Sequence, residues 1–155
     1  MEKPELLSFS EELDYGELVS VTEDYCHMPI DTVHIDGLLS LKQRIMLLQT
    51  QLVISIVTHR KEVARYAYQY KKHLNERKKH YMGQGKSGVQ AKALAEVDAD
   101  FYKHKETLHT TYMENYDQLH WDCKEKFNAL TQHISYLKEE KNRTMPGRPN
   151  NVTDG

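Results

Sequence analysis

The stretch Ser40-Leu41-Lys42-Gln43-Arg44-Ile45-Met46-Leu47-Leu48-Gln49-Thr50-Gln51-Leu52 decides the fold. Ser40 and Gln43 have the S-x-x-Q form of a capping box, in which a hydroxyl and an amide satisfy the unpaired N–H groups of a helix start. Beyond it, apolar or small residues recur at steps of three and four: Leu41, Ile45, Leu48, Leu52, Ser55, His59, Val63, Tyr66, Tyr70 and Leu74. That period keeps them on one side of a long helix and suits a coiled-coil seam. Ile54, Ile56 and Val57 lie off the stripe, so more than one neighbouring helix is expected.

Downstream, Tyr81-Met82-Gly83-Gln84-Gly85-Lys86-Ser87-Gly88 interrupts the pattern and reads as a turn. Its glycines lack the G-x-x-x-x-G-K-[ST] spacing of a phosphate loop, and no strand precedes them. Ser87 and Gln90 repeat the S-x-x-Q form, and a second stripe follows through Leu94, Val97, Phe101, His104, Leu108, Tyr112, Asn115, Leu119, Cys123, Phe127, Leu130, Ile134 and Leu137. This helix is expected to run to about Asn142, before Pro146-Gly147 and Pro149 end it. The fold expected is therefore all-α. Residues 37–142 form an antiparallel hairpin of two long helices, after an acidic N-terminal segment (1–36) and before a disordered tail (143–155). A lone pair of such helices exposes much apolar surface, so oligomerisation is expected too.

The 155 residues suit one domain. Mean hydropathy is −0.75, and no run approaches the ~18 apolar residues of a membrane span. Glu2, Lys3, Pro4 and Glu5 lack the basic and apolar regions of a signal peptide. Two cysteines, Cys26 and Cys123, make no disulfide framework, which fits a reducing cytoplasm. The net charge of −2 hides a segregation: −9 over residues 1–36, +8 over 37–80 and −1 over 81–155.

The basic block concentrates in residues 60–79, with Arg60, Lys61, Arg65, Lys71, Lys72, Arg77, Lys78 and Lys79 against two glutamates. At about 100° per residue, seven of these cations share one face and the seam residues take the opposite one, with Arg77 near the seam. Tyr68 projects from the middle of the basic face. Cations that neutralise phosphates beside a ring that stacks on an unpaired base are the chemistry of single-strand binding. The plain alternative is a solvated helix face. A run of nearly one sign, with a tyrosine inside it, departs from the mixed i,i+4 pattern of such faces.

Catalytic and metal signals are weak. His120 and Cys123 with Cys26 and His27 make an awkward zinc set, and Cys123 falls on the core stripe as a buried thiol. Asp98 and Asp100 point about 160° apart on a helix. There is no H-E-x-x-H, and neither stripe supplies inward-facing carboxylates or an E-x-x-H, so neither a cofactor nor an enzyme is expected.

In this layout the chain resembles the small bacteriophage recombination mediators of the UvsY type, over about residues 28–142. The likeness rests on Ile30-Asp31 ahead of the first long helix, Arg77-Lys78-Lys79-His80-Tyr81, the Gly83-Gln84-Gly85 turn, Leu94-Ala95, and Asp98-Ala99-Asp100 before Lys103. The resemblance implies a non-enzymatic homo-oligomer that binds single-stranded DNA. Such proteins help a strand-exchange recombinase displace single-strand-binding protein, and they contact both. It also implies DNA contacts at Arg77 and Tyr81, whereas Asn75 and His80 depart from the family's basic and aromatic positions. The candidate nucleic-acid-binding set is thus Arg60, Lys61, Arg65, Tyr68, Lys71, Lys72, Arg77, Lys78, Lys79 and Tyr81. The rival function is a coiled-coil interaction protein, an assembly scaffold or a phage inhibitor of a host protein.

Overall fold

The computed structural model describes residues 13–145 and Gly147. In order they form α1 (Tyr15–Cys26), a short 3-10 turn (Thr32–His34), α2 (Ile35–Gly83) and α3 (Gly88–Thr144). No strand occurs among the described residues, and α2 packs against α3 as a helical hairpin. The chain divides into two compact units. Residues 37–142, read from the sequence as one hairpin domain, contribute to both. Most of the expected tail, and residues 1–12 of the acidic segment, lie outside the described residues.

One unit combines Asp14–Thr50 with the chain from Trp121 onward. Asp14 caps α1, accepting the Glu17 N–H at 2.9 Å. The helix is then clamped by Arg44 of α2, whose guanidinium donates to Glu17, to Asp24 at 2.6 Å and to the Ser20 hydroxyl at 3.0 Å. These carboxylates hold the Arg44 pKa above its ordinary value. Two acids of the N-terminal block are therefore spent on Arg44 and not on the basic ridge further along. The apolar stripe is buried here as its spacing requires: Leu38, Leu41, Ile45 and Leu48 on α2, and Cys123, Leu130, Ile134 and Leu137 on α3. Burial pushes the Cys123 thiol pKa up, while Cys26 is exposed.

The start of α2 differs from the expected one. Asp31 receives the N–H groups of Val33 and His34, which caps the 3-10 turn, and α2 runs from Ile35 straight through Ser40. Burial of Ile35 and Leu38 favours helix ahead of the S-x-x-Q box, so Ser40 lies inside the helix and the box is idle.

The second unit is built on Gln51–His120 and contains the turn. Here the box is realised: the Ser87 hydroxyl accepts the Gln90 N–H, and the Gln90 side chain accepts the Ser87 N–H, each at 3.3 Å. The end of α2 is a Schellman motif, with Lys86 N–H on the Tyr81 carbonyl and Gly85 N–H on the Met82 carbonyl. Gly85 has φ +81°, a conformation that would cost an ordinary residue roughly 1–2 kcal/mol.

The first half of α3 departs from the expected seam. The residues facing inward are Ala91, Ala95 and Ala99, all fully buried, followed by the half-buried Tyr102, His109, Met113 and Tyr116. The stripe of Leu94, Val97, Phe101, Leu108 and Tyr112 stands one residue out of step, rotated by about 100°, and is exposed. Small alanines let α2 approach closely beside the turn, while further from it the rings of Tyr66 and Tyr70 meet His109 and Lys103.

Candidate nucleic-acid interface

The antiparallel register is set by the turn. Each step back along α2 meets a step forward along α3, so Arg77 meets Asp98, His73 meets Tyr102, and Tyr66 meets His109. This fixes which side of α2 is inward and leaves the opposite side as a ridge.

On that ridge Arg60, Lys61, Lys71, Lys72 and Lys79 are exposed and Lys78 is half-buried. None of the six has an ion-pair partner among the described residues. Arg60 lines a shallow groove with Ile56, Met113, Glu114 and Asp117. Tyr68 stands 64% exposed among these cations. Arg65 is less available: its guanidinium pairs with Glu62 and covers the Tyr66 ring, 4.7 Å from the centroid. Successive ridge cations from Arg60 to Lys79 cover about 28 Å at 1.5 Å per residue, enough for several phosphates of an extended strand.

Arg77 and Tyr81, the two positions matched by the resemblance, do not lie on the ridge. Arg77 Nε donates to Asp98 at 2.6 Å, its second nitrogen reaches the Tyr81 hydroxyl at 3.1 Å, and that hydroxyl donates to the same Asp98 oxygen at 2.8 Å. The Arg77 guanidinium, with the Tyr81 hydroxyl, holds the Asp98 carboxyl below the usual carboxylate range; Asp98 in turn raises Arg77. The triad crosses the hairpin beside the turn. It braces the end of α2 from which Lys78 and Lys79 project.

Asp98 was missed as a partner by reading α3 alone. The signal that finds it is the register counted outward from the Gly83–Gly85 turn.

The same register brings together a second pair that single-helix reading did not find. His59 and His109 place their Nδ1 atoms 2.8 Å apart, so one ring donates and the other accepts. The rings of Tyr112 and Tyr116 lie against His59, and Tyr66 stacks on His109. Burial lowers both imidazole pKa values; at His59 the neighbouring His109 adds to this, while Glu62 opposes it. At His109, Glu62 likewise opposes, and Lys105 and Arg65 add.

Among the described residues no three His, Cys, Asp or Glu side chains form a group able to hold a metal ion. No described helix is long and apolar enough to cross a membrane. Comparison with protein-family models, with curated proteins and with solved structures finds no match for this chain.

Proposed function

We propose that the chain is a non-enzymatic, self-associating single-stranded-DNA-binding protein. In this reading it acts in the cytoplasm, in the host if phage-encoded, as a recombination mediator that helps load a strand-exchange recombinase onto strands coated by single-strand-binding protein. The observation that carries the binding reading is the ridge of six cations around the exposed Tyr68, none of them ion-paired among the described residues. Charges held in water without carboxylate partners release counterions when they meet phosphates, and the ring offers an unpaired base a stacking surface. The recombination role rests on the resemblance through Arg77–Tyr81, the glycine turn and Asp98–Lys103.

Clustered ridges in an assembly would add avidity, since a second engagement becomes intramolecular. The rival reading, a coiled-coil interaction protein, draws on the exposed apolar stripe of α3 and gives the ridge an acidic protein surface to meet.

The test is fluorescence anisotropy with a labelled oligothymidine across a salt series. Wild type is expected to bind with a steep salt dependence. Replacing Lys71, Lys72, Lys78 and Lys79 together by alanine should make the log–log slope shallower by about 3, given ~0.7 per phosphate contact on single strands. Affinity and slope unchanged in that variant would remove the nucleic-acid reading and leave the protein-partner one.

A further inference from the structure

The first cation of the basic ridge belongs to two surfaces at once. Arg60 stands on the ridge, and it also lines the groove that leads across to Met113, Glu114 and Asp117 of α3 over Ile56. All five residues lie in the unit built on Gln51–His120. Ile56 is buried and Met113 half-buried, whereas Arg60, Glu114 and Asp117 are exposed, so apolar side chains form the floor and charged ones the rim. The arginine and the two carboxylates do not close on one another, and none of the three has an ion-pair partner among the described residues. The groove holds about 160 Å³, well under the ~300 Å³ at which sites for drug-sized ligands begin.

Charge decides what fits there. Glu114 and Asp117, three residues apart, share one face of α3. As ionised carboxylates they only accept hydrogen bonds, and they repel phosphate, so a strand following the ridge enters with a base and not with its backbone. Arg60 on the α2 side repels a partner's cationic side chain but attracts the phosphate beside that base. A flat apolar floor under an acceptor-only rim suits a base with adjacent N–H donors. Guanine alone among the four DNA bases has two on its Watson–Crick edge, N1–H and N2–H. In adenine and cytosine the amino group adjoins a ring nitrogen lone pair that faces the second carboxylate oxygen, and the thymine N3–H lies between two carbonyls.

We propose that this groove is a guanine subsite at the Arg60 end of the ridge. One unpaired guanine lies on Ile56 and Met113 and donates N1–H and N2–H to the Glu114–Asp117 rim, while its phosphate meets Arg60. The proposal rests on the single-strand reading and adds a base preference to it. A guanine carrying a phosphate is also what a free nucleotide offers, and the test separates the two sources.

The experiment is fluorescence anisotropy on the full chain with four short labelled oligothymidines: one unaltered, the others with a single central guanine, hypoxanthine or adenine. The guanine strand is expected to bind about fivefold or more tightly than the unaltered one, the lower end for a bidentate base contact. Hypoxanthine, which keeps N1–H and lacks the amino group, should lose most of that gain. Glu114→Ala with Asp117→Ala, at exposed helical positions, should bind all four strands alike. The hypoxanthine strand uses the unaltered chain, so it decides even where the alanine variant fails to fold. A preference that survives in the hypoxanthine strand, or in the folded alanine variant, overturns the subsite. Displacement of the guanine strand by an equal concentration of GMP would give the groove to a free nucleotide and overturn it as a strand site. Equal affinity for all four strands with the salt dependence kept overturns the subsite and leaves the ridge standing, whereas binding of no strand retires the ridge reading and the subsite with it.

Discussion

Tyr68 owes its position to helical arithmetic: it sits about 180° from the seam that Tyr66 and Tyr70 bracket, so its neighbours turn inward and it turns out. With 64% of its surface in water and lysines at 71 and 72 one turn on, the ring is placed for a base and not for the core. Tyr68→Ala is expected to weaken single-strand binding by ~1–3 kcal/mol while leaving the melting temperature unchanged. An anisotropy titration beside a thermal melt checks both, and unchanged affinity would reduce Tyr68 to a solvent-facing residue. Arg77 shows the opposite case. Its angle already placed it near the seam, and there it closes on Asp98 and Tyr81, so its charge is spent on bracing the turn.

Among the elements, α3 carries the most consequential feature. Near the turn its inward face is made of alanine where its outward flank is made of leucine, valine and phenylalanine, the reverse of a simple amphipathic helix. The two faces respond differently to substitution. Ala95→Leu forces a larger side chain into a filled seam and is expected to destabilise the chain by about 1–3 kcal/mol. Leu94→Ala, one residue away, removes an exposed side chain and is expected to change monomer stability by no more than about 0.5 kcal/mol. Urea unfolding of both variants at concentrations below association makes the comparison. A larger cost at Leu94 than at Ala95 would mean that the stripe, not the alanine line, meets α2.

For the whole molecule, pH is the lever the seam itself provides. His59 and His109 hold pKa values below the ordinary 6.5, so each takes up a proton on unfolding. Where the unfolded chain binds more protons, stability rises with pH. The stability these residues contribute is therefore complete above about pH 7, and it shrinks as the pH falls through 6.5 toward the lowered values. The 2.8 Å Nδ1–Nδ1 contact sharpens this, because two protonated rings would set N–H against N–H. Urea midpoints measured from pH 7.5 down to pH 5 are expected to fall, and to fall less in His59→Asn with His109→Asn. A midpoint that rises on acidification, or equal slopes in the two proteins, contradicts the assignment. Asp98 adds a second step at lower pH: its folded pKa is depressed, so its contribution persists above the ordinary carboxylate range and is lost as the pH falls through the folded value.

The sequence by itself determined that the described chain is helical, that it turns at Gly83–Gly85, that Ser87 and Gln90 start α3, and that the cations of residues 60–79 other than Arg77 face away from the α2 stripe. These follow from periodicity and capping, which are local: side chains three and four apart share a face whatever lies opposite. Tertiary structure decided what locality does not encode. Periodicity identifies an apolar stripe on α3 but not which helix it meets, because two faces 100° apart both repeat at steps of three and four. Only the antiparallel register, fixed by the turn and by the close approach that Ala91, Ala95 and Ala99 permit, assigned one face to α2 and left Leu94, Val97 and Phe101 in water. The start of α2 followed the same logic. A capping box at Ser40 offers two hydrogen bonds, but Asp31 offers comparable ones earlier, and burial of Ile35 and Leu38 favours the longer helix. Pairings across the hairpin, Arg77 with Asp98 and His59 with His109, join residues far apart in the chain, and only packing brings them together.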